Sequence, residues 1–399
     1  MAVRERTKPQ EVSTGNESES TTVPKKKRIG KYGWFVIIFT ASLVFLNGAA
    51  LMWKTFSDFY ADHIFRFAAE TTGRFSGLFP FSLGEVLITL AIVLVLASIA
   101  LSVLLVFLRK KQKYKSFTLR YLKTMLVIVL SVVLLYTLNC SILYCSTPLS
   151  FAGGVREFDI DEFENVRNYV VTQCAELSPK MERKGDGTMV FPESFDNAAA
   201  DAMRNISGKF PRLAGYYPPA KEIMGSYFMY QSGIIGVYFP FSVEANYSRF
   251  VSDSYMPHVL AHEYAHLKGY IYESEANFIS YLACINSNDD AVKYSGYLCV
   301  LSYIDSDYKN SVPEDRYNAQ PQIPDLVRFD NYCYDSETWE YLKKRDEENQ
   351  PKVAEIAENV SDTLMDSYMD AFDYRPNYSE VTLLMMQYYT EFGGFKIGA

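Results

Sequence analysis

Three of the four histidines in this 399-residue chain, His258, His262 and His266, fall within nine residues of one another. The stretch His262-Glu263-Tyr264-Ala265-His266 has the spacing of a metal-binding helix. Residues four apart share one helical face, so both imidazoles can reach one ion, and zinc accepts imidazole nitrogens in tetrahedral sites. Glu263 directly follows the first imidazole, where its carboxylate would take a proton from a water acidified by the ion. The implied chemistry is hydrolysis of an amide or related bond, with Glu263 as general base and Zn2+ as cofactor.

A catalytic zinc site uses three protein ligands and one open position. Glu273 and Glu275 both follow at the start of the next expected helix, about 200° apart around its axis, so only one can face the ion. Glu273 is the favoured third ligand and Glu275 the alternative. Asn277 shares the Glu273 face and is expected to orient Glu273 or the His262 imidazole from behind. His258 lies one turn before His262, but three ligands on one straight helix cannot surround a tetrahedral ion. It is expected to be an outer partner or a core histidine. Tyr294 and Tyr297 are candidates to assist at a developing oxyanion.

The elements around these residues follow from local signals. Ser254 is placed to cap the histidine helix, Pro257 suits its first turn, and Gly269 can end it in a left-handed conformation. Val259, Leu260, Tyr264 and Leu267 supply apolar side chains for burial. A buried Glu263 with nothing to pair it would be costly, which favours a site over a plain core helix. Upstream, Phe228-Met229-Tyr230 and Ile234 to Phe239 flank Ser232-Gly233 and predict a short antiparallel hairpin, with Glu244 and Asn246 lining a cleft or capping a turn. Helices are expected at Asp159 to Met181, Phe195 to Ile206, from Met256 onward, Tyr294 to Ile304 and Lys352 to Phe372. Segment 306 to 330, with Pro313, Pro321 and Pro324, reads as an extended loop.

The N-terminal part is of a different kind. Residues 1 to 31 are rich in Ser, Thr, Glu and Lys and cannot offset the entropy of ordering, so a disordered tail is expected. Three uncharged apolar runs follow, at about 32–53, 86–108 and 124–145, each long enough to cross a bilayer as a helix. Lys25, Lys26, Lys27, Arg28 and Lys31 precede the first run, and seven basic residues from Arg109 to Lys123 separate the second from the third. Cytoplasmic loops collect such residues, so the N-terminus is expected in the cytoplasm and residues 146–399 outside it. The remainder of the chain carries 24 basic against 43 acidic residues, which disfavours nucleic acid as a partner. The aromatic stretch from Lys54 to Glu85 could lie on the membrane or pack on the main domain. Among six cysteines, Cys174, Cys284, Cys299 and Cys333 could form up to two disulfides or remain thiols.

The block from His262 to His266 followed by Glu273-Ser274-Glu275-Ala276-Asn277 resembles the gluzincin metallopeptidases, whose third ligand is a glutamate on the next helix. Asn277 stands where that group usually has an aspartate, and the seven-residue gap from His266 to Glu273 is short for it. The chain more closely resembles a bacterial membrane family, domain of unknown function 3810. That likeness rests on the three apolar runs, Pro240 to Asn246, His262 to Asn277 and Tyr294-Ser295-Gly296-Tyr297. The resemblance implies a zincin-like, peptidase-like domain, with a peptide held on the edge strand above the metal.

The expectation is therefore a membrane protein with three N-terminal spans and a mainly helical α+β domain holding a small antiparallel sheet. Its function would be zinc-dependent hydrolysis of peptide or protein substrates outside the cytoplasm. The alternative is a non-catalytic membrane sensor or assembly protein that retains the fold.

Overall fold

The computed structural model of the chain describes residues 29–191, 194–349 and 380–397. Most of the expected disordered tail and the expected helix from Lys352 to Phe372 lie outside the described residues.

Three helices are long and apolar enough to cross a membrane: Lys31–Met52, Leu83–Leu108 and Gln112–Tyr144. Val93, Leu96 and Phe107 are among many side chains on them that no protein covers. Helices that are apolar all round yet uncovered are those that lipid surrounds. The third begins well before residue 124 because the basic stretch from Gln112 to Lys123 continues the helix. Its Lys, Arg, Gln and Leu residues favour helix and no Gly or Pro interrupts them. Polar pins join the spans: Asn47 Nδ2 donates to Thr137 Oγ1 at 3.0 Å and Ser141 Oγ to Asn47 Oδ1 at 2.7 Å.

The segment linking the first two spans forms the helices Lys54–Phe59, Tyr60–Phe65, which is π-helical, and Arg66–Ser76. Tyr60, Ala61, Phe65 and Ala69 enter the main core, so one face of this segment packs on the domain.

The domain contains a three-stranded sheet of β1 (Lys221–Ile223), β2 (Gly236–Phe239) and β3 (Glu244–Ser248) in the order β1-β3-β2. β1 runs parallel to β3 and β2 antiparallel to it, so the sheet is mixed rather than antiparallel. Phe228, Met229 and Tyr230 are not a strand; they sit in the helix Ser226–Gln231. That helix buries Ser226 and Met229, three residues apart, a spacing that a strand cannot place on one face. The partner of β2 is β3, where Glu244, Ala245 and Asn246 are all buried. A strand covered on both faces loses its alternation and with it the sequence signal.

The helix Met256–Leu267 is central, packed against the sheet, Phe195–Asn205, Glu273–Ile285 and Asp290–Ser311. Asp159 caps the helix Ile160–Leu177 by accepting from Asp161 N at 2.7 Å. Segment 306 to 330 is not extended. The helix from Asp290 runs to Ser311, and Glu314–Asn318 and Asp325–Asp330 start directly after Pro313 and Pro324. A proline that breaks one helix is well placed to open the next. All six cysteines are unpaired thiols.

The sheet is joined to the membrane helices by a buried ion pair. Glu244 accepts from Leu83 N at 3.2 Å and Gly84 N at 2.9 Å, at the positive end of the second span, and pairs with Lys221. Lys221 Nζ also donates to Ser76 O at 2.7 Å. Both side chains are almost fully buried. Removing one partner would strand the other charge, so Lys221→Met is expected to destabilise the protein by about 3–5 kcal/mol in a thermal or denaturant melt.

Candidate metal centre

The helix Met256–Leu267 buries nearly every side chain, with His262 only partly covered. Pro257 occupies its first turn as expected. Ser254 does not cap it, because its hydroxyl donates to Asp330 O at 3.0 Å instead. Gly269 adopts φ +91° and Tyr270 N reaches back to Ala265 O at 3.1 Å, which ends the helix and turns the chain sharply. That turn delivers Glu273 as the first residue of the helix Glu273–Ile285.

His262 Nε2 and His266 Nε2 stand 3.0 Å apart. Glu273 Oε2 lies 3.1 Å from the first and Glu273 Oε1 3.4 Å from the second. Zinc bonds of about 2.0–2.2 Å in tetrahedral directions separate the ligand atoms by about 3.3–3.5 Å, so the triangle is of the right size for one ion. The tautomers point the same way. His262 Nδ1 donates to Asn277 Oδ1 at 2.8 Å and His266 Nδ1 to the Tyr270 carbonyl at 2.8 Å. In the neutral rings both Nε2 atoms then carry lone pairs, aimed at each other and at a carboxylate. Such a cluster is repulsive unless a metal ion, or a proton held on His266, sits in it.

Glu263 lies beside this triangle and is almost wholly buried, and its Oε2 has no hydrogen-bond partner. β2 passes directly over it. A Cβ on Gly236 would overlap the Glu263 carboxylate, so only glycine lets the strand come this close. Burial pushes the Glu263 carboxyl up to about 7, against the two imidazoles, which favour its charge. Burial also works against charge on His266, but the Glu273 carboxylate outweighs it and lifts that imidazole to about 9. Desolvation of Glu273 is in turn outweighed by its contacts with the two imidazoles, which hold its carboxyl well below the usual range. The residues present thus fit a divalent cation, with three convergent donors, and the neighbouring Glu263 carries a buried carboxylate oxygen with no hydrogen-bond partner.

Glu275 is turned away. Its Oε1 accepts from Leu149 N at 2.5 Å, and burial raises its carboxyl to about 7. His258 is buried with Nδ1 unpartnered, and burial lowers its pKa to about 3. Its ring centroid is 6.1 Å from that of His262, so it is a neighbour of the triangle rather than a member. Asn277 is at the His262 imidazole, not at Glu273. Outer partners that fix a ligand's ring are worth about 10–100-fold in metal affinity, so Asn277→Ala is expected to weaken binding by that factor in a competition titration.

Tyr294 and Tyr297 are both withdrawn from the centre. The Tyr294 hydroxyl donates to Asp330 Oδ2 at 2.7 Å, and that of Tyr297 pairs with Tyr169 at 2.7 Å. Their helical spacing reflects packing between helices, which sequence could not separate from a role at the site. Glu244 does not line the cleft; it caps the second span.

The sequence profile of one protein family, described as "protein of unknown function (DUF3810)", matches residues 60–386. No curated protein and no solved structure matches the chain. The match takes in the metal triangle, Glu263, the sheet and two of the three apolar helices, and it spans most of the sequence: the chain belongs to the DUF3810 family.

Proposed function

We propose that this protein is a membrane-anchored zinc-dependent hydrolase that cleaves peptide or protein substrates, with a zincin-like arrangement of its helices and sheet. One observation carries the reading. Three side chains that can ligate a metal, His262, His266 and Glu273, bring their ligand atoms within 4.8 Å of one another, and buried Glu263, whose Oε2 has no hydrogen-bond partner, stands on the same helix as the two histidines.

His262, His266 and Glu273 would hold the ion. Zinc in such a site supplies Lewis acidity, which polarises a carbonyl and acidifies water. Glu263 takes the proton of the attacking water and returns it to the leaving amine. The Tyr238 backbone favours the charged form of the Glu263 carboxylate. β2 is an edge strand, so its outer hydrogen-bonding groups can pair with an extended peptide laid across the centre. Glu273, two-thirds exposed, leaves the centre open on that side.

The basic residues before the first span and between the second and third place those ends in the cytoplasm under this reading, and the hydrolase outside it. A site that only stiffened a sensor domain would have no use for an unpaired Glu263 carboxylate beside the ion. The deciding experiment is metal analysis of the purified chain, with peptide-library cleavage by the wild type and Glu263→Gln.

A further inference from the structure

The stretch 53–82 begins where the chain leaves the first span at Met52 and ends where Leu83 opens the second. Both ends therefore lie at one face of the bilayer. Its three helices turn Tyr60, Ala61, Phe65 and Ala69 inward to the core. Elsewhere on the same segment Phe59, Phe67 and Phe75 are 55%, 75% and 60% exposed, followed by Leu78 at 77%. Among the described residues, Phe59 touches only His63 and Phe75 only Phe79 as ring partners, and all four side chains stay more than half exposed. Large aromatic side chains on the outer face of an amphipathic helix, held at the level of a membrane boundary, enter the headgroup and upper acyl region.

The metal centre is tied to the same level. Gly236 lies on the Glu263 carboxylate, and Phe239, three residues along β2, packs against Gly84, the second residue of the second span. The next carbonyl, of Pro240, accepts from Asn139 Nδ2 in the third span at 2.6 Å. At about 3.3 Å per strand residue, only about 10 Å of β2 separates the Glu263 contact from the contact with the end of a membrane helix.

We propose that residues 53–82 form a lipid-embedded platform and that the metal centre it holds acts on polypeptides tethered to the same bilayer face by an apolar anchor. A cleft this close to the headgroups is reached most easily by a chain already confined to that layer, and confinement raises its effective concentration. The substrate class rests on the hydrolase reading above; the platform does not.

The test uses the full chain in phosphatidylcholine vesicles. Phe67→Trp and Phe75→Trp, in a background with Trp34, Trp53 and Trp339 replaced by Phe, should be quenched by lipids brominated in the upper acyl chain. Trp339 alone, with the other tryptophans replaced, should not. A nitroxide on Thr71→Cys, between the two positions, should meet oxygen more readily than an aqueous nickel chelate, and it serves if the tryptophan variants misfold. Lack of lipid quenching together with free access of the nickel chelate overturns the platform. Shielding from lipid and chelate alike also overturns it, in favour of a second copy or another protein on these side chains. Library peptides carrying a palmitoyl chain should be cleaved at least about tenfold faster than the same peptides free in solution. Equal rates overturn the tethered-substrate class and leave the hydrolase intact. Cleavage of neither set by the metal-loaded wild type removes the hydrolase reading and the substrate class with it, while the quenching still decides the platform.

Discussion

Glu263→Gln is expected to lower peptide cleavage by about 10²–10⁴-fold while the protein still binds one zinc per chain. The amide keeps the size of the side chain but cannot accept the proton of the attacking water. The same substitution should change stability in the opposite sense. In the metal-free wild type the Glu263 carboxyl is raised to about 7, above its ordinary value of 4.5, so the folded state binds this proton more tightly than the unfolded state. Its stabilising contribution is full below pH 4.5 and is lost as pH rises to about 7, a swing of about 3 kcal/mol. Glutamine does not titrate. Chelator-treated Glu263→Gln should therefore melt higher than chelator-treated wild type at pH 8, and the advantage should vanish at pH 4.5. A variant that lost zinc, or that cleaved as fast as wild type, would contradict the assignment of Glu263 as base.

Metal binding is expected to release about one proton near neutral pH and to strengthen about tenfold per pH unit up to about pH 9. His266 is raised to about 9 in the free protein, chiefly by Glu273 against the pull of burial, so below that value the ion must displace a proton from it. Glu273→Gln removes both a ligand and the charge that holds this proton. Its affinity should fall by more than the loss expected for Asn277→Ala, and proton release at pH 7 should drop, because burial then keeps His266 neutral. Glu275→Gln should change neither, since that carboxyl is engaged with Leu149 N. Calorimetry in buffers of different ionisation enthalpy counts the protons, and equilibrium competition gives the affinities. Saturating zinc at about a thousand times the dissociation constant should stabilise the fold by about 4 kcal/mol, and chelation should reverse this.

Much of this centre was legible because its information is local. The four-residue spacing of His262 and His266 is set by helix geometry alone, and Gly269 announces the turn that follows. The apolar runs are equally direct, since a helix in hydrocarbon satisfies its own backbone and needs only length and composition. Errors cluster where a side chain's partner is distant in sequence. Ser254 reads as a cap until Asp330 O takes its hydroxyl, and Glu244 reads as a cleft residue until the second span's amides reach it 160 residues away. The choice between Glu273 and Glu275 was of the same kind. Both sit in the first turn, and only the direction in which the helix leaves the Gly269 turn decides which faces the histidines.

The sequence by itself determined that three helices are apolar enough for lipid and that two imidazoles share a face beside a carboxylate. Those properties depend on residues a few positions apart. Tertiary structure alone decided that Glu273 closes the triangle, that Tyr294 and Tyr297 stand away from it, and that Gly236 brings an edge strand onto Glu263. It also decided that the strand's far end rests on the second membrane helix. The physical reason is that helix periodicity repeats within a turn, whereas each of these contacts depends on which buried donor or close-packed surface arrives from elsewhere in the chain.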